Sequence, residues 1–197
     1  MLVKNLRKKG GSKISNTLIL VNKSHSVSKD YRPHNLRIVE VPFVEAEISA
    51  KRLMQEEAAQ ALESLFAKED RMELYAVSAY RSYQRQELIF QEHAAEYGLE
   101  EANQVSAKPG ESEHQTGLAV DLTSPAVDFK LSKEFGETKE GEWLQEYAPE
   151  FGFIIRYPAG KEKVTGYQYE PWHLRYIGKD AALEIENNNL TLEEYLR

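Results

Sequence analysis

Cysteine is absent from the 197 residues of the chain. Neither a disulfide framework nor a thiolate metal site can exist, so any bound metal must be held by histidine and carboxylate side chains. Long apolar runs are missing too, and nothing approaches the roughly 20 apolar residues that a bilayer-spanning helix needs. The best apolar run near the N-terminus, Leu18 to Val21, is well short of the about 7–15 residues of a secretory h-region. The sequence as given is therefore read as having no signal peptide. With only 11 glycines and 7 prolines, collagen-like and low-complexity architectures are excluded. A basic excess is lacking as well: 25 Lys and Arg stand against 32 Asp and Glu, a net charge of −7. Phosphate binding needs concentrated Lys and Arg, so this balance argues against nucleic acid as a partner.

What remains is 41% hydrophobic and long enough for one compact unit with a real core. Residues 1–29 carry Lys4, Arg7, Lys8, Lys9, Lys13, Lys23 and Lys29 and no acidic side chain. The reading is a basic, flexible N-terminal segment over 1–16 and a single domain over 17–197. That segment reads equally as an ordinary solvated end or as a linker left by a removed signal or anchor.

Periodicity predicts strands over Thr17–Asn22 and Leu36–Val41, a helix over Ser49–Lys68 and a strand over Glu73–Ala79. Ser82 is placed to cap a helix through Tyr97, with Gly98 as its left-handed C-terminal residue and Leu88, Ile89 and Ala95 facing the core. Gly117 to Thr123 alternates, which puts Leu118, Val120 and Leu122 on one face and Asp121 on the other. A short helix over Glu142–Tyr147, strands over Phe153–Arg156 and Trp172–Ile177, and a capping box at Thr191–Glu194 complete the pattern. Helices and strands mix without regular βαβ alternation, so the expected class is α+β: a small antiparallel sheet flanked by helices.

Of five histidines, His25, His34 and His93 read as surface or locally bonded side chains. His114 precedes the alternating strand, and the turn at Gly117 can bring its imidazole toward Asp121. His173 ends Glu170-Pro-Trp-His173, where Pro171 forces an edge or a bulge. Strict alternation would put Glu170 and His173 on opposite faces, so a joint role requires that irregularity. His114, Asp121 and His173 would give zinc three protein ligands and leave a fourth position open, as in catalytic sites. Glu170 would then serve as the general base. Arg81, at a strand-to-helix junction with Ser82 and Gln86 nearby, could bind a carboxylate bidentately or lie in a solvated first turn.

Tyr80-Arg81-Ser82, Ser112-x-His114-x-x-Gly117-x-Ala119-x-Asp121 and Glu170-Pro-Trp-His173 together resemble the bacterial VanY-type D-alanyl-D-alanine carboxypeptidase family of zinc peptidases, which includes LdcB-type L,D-carboxypeptidases. Leu20-Val-Asn-Lys23 and Tyr31-x-Pro33 are similar to that family's first strand and loop, so the resemblance runs from about residue 17 to the C-terminus. It implies a single Zn²⁺ ion on His114, Asp121 and His173, with Glu170 as base. It also implies that Arg81 binds the substrate's terminal carboxylate, in a pocket lined by Gln86, Ser112, Tyr157 and Trp172. The implied partner is the peptidoglycan stem peptide, cut by a monomer in the cell envelope or outside the cell, or alternatively in the cytoplasm. Two rival readings are a D,D-dipeptidase acting on D-Ala-D-Ala and a non-catalytic, zinc-stabilised peptidoglycan-binding module.

Overall fold

The computed structural model describes residues 17–47, 49–68 and 72–197; the basic segment 1–16, expected to be flexible, lies outside them. In chain order the elements are β1 (Leu36–Ile38), β2 (Leu53–Gln55), α1 (Glu56–Lys68), β3 (Tyr75–Ser78), α2 (Tyr83–Tyr97), α3 (Leu99–Val105), β4 (Ala119–Thr123), α4 (Lys139–Tyr147), β5 (Phe153–Tyr157), α5 (Glu162–Thr165), β6 (Glu170–Tyr176), α6 (Lys179–Asn187) and α7 (Leu192–Tyr195). The class is α+β, as expected. A four-stranded sheet in the order β3-β4-β6-β5 is antiparallel throughout, and β1 and β2 form a separate two-stranded ribbon.

Alternation in β4 sends Leu118, Val120 and Leu122 into the main core, where Leu62 and Leu65 of α1, Phe135, Leu144, Phe153 and Leu174 meet them. A smaller cluster joins Ile154 to Ile177, Ala182, Ile185 and Leu192 beneath α6 and α7. The polar face of β4 is left for Asp121, which pairs directly with His173 on β6. Among the described residues no helix is long and apolar enough to cross a membrane.

Several boundaries depart from expectation. The helix predicted from Ser49 starts at Glu56, because Leu53–Gln55 pairs with β1 and the Gln55 amide donates to Gly117 O at 2.8 Å. Thr17–Asn22 is not a strand: Arg175 Nη2 donates to the Thr17 and Ile19 carbonyls at 2.8 and 2.7 Å, so a side chain occupies acceptors that a neighbouring strand would use. Ser82 does cap α2, its Oγ accepting from Arg85 N at 3.2 Å. Gly98 has positive φ (88°) but extended ψ (159°), because it ends α2 and begins α3 at once. Leu88 and Ala95 are exposed rather than in the core, and the buried residue of α2 is the polar Gln86. The helix rims a cavity instead of covering the sheet, and Ile89 lines that cavity. The capping box on α7 forms as the sequence indicates, whereas α3, α5 and α6 went unpredicted.

Candidate active site

Three elements converge on one end of the sheet. His114 lies in a 3₁₀ turn, Glu113–Thr116, which reverses through Gly117 at φ 66° into β4. A Cβ at Gly117 would come within 2.6 Å of the Leu36 side chain, so the turn needs glycine both for its dihedral and for the space. His114 Nε2 lies 3.2 Å from Asp121 Oδ2, and His173 Nδ1 lies 3.2 Å from Asp121 Oδ1. The two imidazole rings are 5.0 Å apart and nearly perpendicular.

Glu170 reaches the same point through an irregularity in β6. Ile155 pairs with Leu174 but Tyr157 pairs with Glu170, so β6 holds two extra residues around Pro171. That bulge overrides strict alternation and leaves Glu170 Oε2 3.8 Å from His173 Nδ1. Arg81 approaches from the junction between β3 and α2. Its Nη1 donates to Gln86 Oε1 at 2.9 Å, its Nη2 lies 3.4 Å from Ser78 Oγ, and Asp121 Oδ2 is 3.7 Å away. Gln86 is held in turn by donating to Ala107 O at 2.7 Å.

These groups share a cavity of about 370 Å³ that includes Ser112, Tyr157 and Trp172. Gln86 is not part of its wall and stands behind Arg81 instead. His93, read from sequence as a surface side chain, also lines the cavity, because α2 presents this edge to the cleft.

The electrostatics follow from burial and from the neighbours. Burial pushes the Glu170 carboxyl up to about 7, with Asp121 adding to the rise and His173 opposing it. Burial would lower His173, but Asp121 and Glu113 outweigh it and raise the imidazole to about 9. Asp121 is held well below the usual carboxylate range: burial works against ionisation, and His114 and His173 overcome it. Burial lowers His114, partly offset by Asp121. Tyr157 is pushed well up by burial, so its hydroxyl keeps its proton.

The donor set fits a metal ion. One ligand atom from each of His114, Asp121 and His173 lies within 4.8 Å of the others, and buried Asp121 Oδ1 makes no hydrogen bond within the protein. His114 Nδ1 lies 2.6 Å from Ala79 O; a proton donated there leaves Nε2 with its lone pair toward the cluster. Two imidazoles and a carboxylate with an open fourth side suit zinc.

Sequence reasoning passed over Glu113, Arg156, Arg175 and Glu193, which form a buried charge cluster behind His173. The signal was available: Arg156 and Arg175 interrupt the apolar runs of β5 and β6, and a charged residue in a buried strand demands a partner.

Known proteins resemble this chain over most of its length. The family model for VanY, D-alanyl-D-alanine carboxypeptidase, matches residues 51–179. The putative carboxypeptidase YodJ of Bacillus subtilis is 50% identical over 182 residues, covering 91% of this chain and 67% of YodJ. VanXYC of Enterococcus gallinarum, a bifunctional D-Ala-D-Ala dipeptidase and carboxypeptidase, is 35% identical over 91% of this chain and 93% of its own length. Among solved structures, the LdcB LD-carboxypeptidase superposes with a TM-score of 0.87 at 50% identity, covering 91% of this chain and 85% of that one. A mutant VanY D,D-pentapeptidase from a VanB-type resistance cassette, in complex with Zn(II), gives 0.73 at 33% identity over 92% and 99%. Strand register, buried donor set and overall likeness converge, and the chain belongs to the VanY family of D-alanyl-D-alanine carboxypeptidases, zinc metallopeptidases that trim peptides from the C-terminus.

Proposed function

We propose that this chain removes the C-terminal D-alanine from peptidoglycan stem peptides in the cell envelope, using one zinc ion on His114, Asp121 and His173. The observation that carries this reading is the meeting, in a single cavity, of the three-residue donor set with Glu170 and Arg81. When bound there, zinc would act as a Lewis acid that lowers the pKa of a water molecule to about 7 and polarises a carbonyl. Glu170, tuned by burial to about 7, takes the proton of the attacking water and delivers it to the leaving amine. Arg81 pairs with the substrate's terminal carboxylate, and Gln86 and Ser78 fix the direction of its guanidinium. Ser112, Tyr157 and Trp172 border the space for the departing residue.

A dipeptidase would need a carboxylate available to a free ammonium. Among the described residues lining the cavity, the carboxylates are Glu113, whose Oε1 is held by two arginines and whose Oε2 faces His173, Asp121 in the donor set, and Glu170. This distribution favours cutting a longer peptide. A passive binding module would need neither a base at Glu170 nor an open metal position.

The test is incubation of zinc-loaded protein with tetrapeptide and pentapeptide stems, reading product masses. Loss of one alanine from either stem is the expected outcome, and the stem that reacts faster reports the residue preferred before the cut. Unchanged masses for both stems, with zinc bound, would overturn the reading.

A further inference from the structure

Behind the metal-facing groups lies buried charge that the proposed reaction does not use. Glu113, next to His114 in the 3₁₀ turn, has a fully buried carboxylate. Arg156 Nε from β5 and Arg175 Nη1 from β6 both donate to its Oε1 at 2.7 Å. The other Arg156 nitrogens donate to the two oxygens of Glu193 at 2.9 and 2.6 Å, and Asn22 Nδ2 donates to Glu193 Oε1 at 3.0 Å. The other Arg175 nitrogens donate to the Thr17, Ile19 and Tyr176 carbonyls. With every guanidinium nitrogen occupied, neither arginine can turn without losing a buried hydrogen bond. Glu113 Oε2, by contrast, makes no hydrogen bond. The polar atom facing it is His173 Nε2, 3.5 Å away and likewise unbonded.

We propose that Glu113 is a positioning residue: anchored through Oε1 by Arg156 and Arg175, it uses Oε2 to hold the proton of His173 on Nε2, which turns Nδ1 toward Asp121 as the metal-binding nitrogen. An imidazole ligates through the nitrogen that bears no proton, and a carboxylate can only accept, so it selects the tautomer. His173 Nδ1 is the nitrogen near Asp121 and Glu170. His114 uses the opposite arrangement, with Nδ1 tied to Ala79 O and Nε2 facing Asp121. The two histidines thus present different nitrogens to one point, each set by the acceptor behind it.

Glu113→Gln exposes the logic. If the amide oxygen stays with the two arginines, the amide N–H groups face the His173 Nε2 proton, donor against donor. If the amide flips, two buried arginines face N–H groups instead. Either arrangement weakens metal binding without touching a ligand.

This inference rests on the metal reading above, and the experiment separates the two. The full chain, with ¹⁵N-labelled histidine side chains, is loaded with one equivalent of zinc and studied by NMR and by chelator competition. In the wild type, His173 is expected to coordinate through Nδ1 and to keep a slowly exchanging proton on Nε2. Glu113→Gln should lower zinc affinity by roughly 10–100-fold, and Glu113→Asp, which keeps the acceptor charge, should recover part of the loss. Coordination through Nε2, an Nε2 proton exchanging as fast as that of an exposed imidazole, or a folded Glu113→Gln protein with wild-type affinity overturns the proposal. If Glu113→Gln does not fold, the wild-type spectrum decides. If the wild type takes up no zinc, the metal reading fails, and the tautomer of neutral His173 in the metal-free protein at alkaline pH still decides the role of Glu113.

Discussion

Two clusters of buried charge lie back to back in this protein and share His173. In the rear cluster, Arg156 and Arg175 spend every nitrogen on Glu113, Glu193 or backbone carbonyls. In the front cluster, Asp121 Oδ1 makes no hydrogen bond, and Glu170 and Arg81 border an open cavity. The titration behaviour separates the two in the same way. Glu113 is driven far below the carboxylate range by its arginines despite burial, and Arg156 is driven far up by Glu113 and Glu193 despite burial, so neither changes charge near neutrality. Glu170, at about 7, does, and His173, at about 9, gives up its proton in mildly alkaline solution. Arginines with every nitrogen bonded hold the rear cluster rigid even though Glu113 Oε2 makes no hydrogen bond, whereas in the front cluster the unbonded Asp121 Oδ1 stands beside Glu170, which titrates near neutral pH, and that combination marks where chemistry can occur.

The comparison breaks most sharply at the ligands. His114→Ala, Asp121→Ala and His173→Ala should each abolish tight zinc binding, because losing one of three ligands destroys the geometry. Stoichiometric zinc in all three purified variants would refute the assignment. Glu170→Gln should retain zinc and lose roughly 10²–10⁴-fold in kcat; near-normal turnover in a zinc-replete sample would place the base elsewhere. In the rear cluster the loss should appear in stability. Arg156→Met leaves Glu113 and Glu193 short of a buried partner and should cost about 3–5 kcal/mol in urea unfolding, and a change under 1 kcal/mol would mean that the network is dispensable.

Arg81→Ala should cost about 2–5 kcal/mol in kcat/KM with zinc content unchanged. Amidating the substrate's C-terminus should harm the wild type far more than this variant, and equal acid-to-amide ratios in both proteins would show that Arg81 does not read the carboxylate. The smallest effect is graded by pH. A histidine raised from 6.5 to about 9 in the metal-free protein contributes stability that is fully present below about 6.5 and lost as pH rises through 9. Ligation needs neutral imidazole, so zinc affinity should rise by about tenfold per pH unit between 7 and 9 and then level off. Calorimetry across that range checks the slope, and a flat profile would mean that His173 is already neutral. The rear cluster behaves oppositely: the depressed Glu113 contributes stability above about 4.5, lost only as pH falls into strong acid.

Local signals were legible where one physical rule sufficed. Alternation around Val120 put Asp121 opposite the leucines, and the hydroxyls of Ser82 and Thr191 announced their helix starts. They failed where a distant group competed. Leu53–Gln55 looked helical until β1 supplied a ladder, and Thr17 and Ile19 lost their strand role to the Arg175 guanidinium. In α2, Leu88 and Ala95 had the spacing of a core face, but both stand exposed, while the neighbouring edge of the helix, Ile89 and His93, lines the cavity.

The sequence by itself determined the donor types, since without cysteine only histidines and carboxylates could hold a metal, and it determined that Asp121 faces away from the apolar layer. Tertiary structure alone decided that Glu170 stands beside His173, because that requires two extra residues in β6 relative to β5. It also decided which nitrogen each histidine turns toward Asp121. That choice depends on acceptors brought from elsewhere in the chain, Ala79 O behind His114 and Glu113, locked by arginines of two strands, behind His173. Side-chain type is written in the sequence, but the direction of a lone pair is set by whatever packs against the other side of the ring.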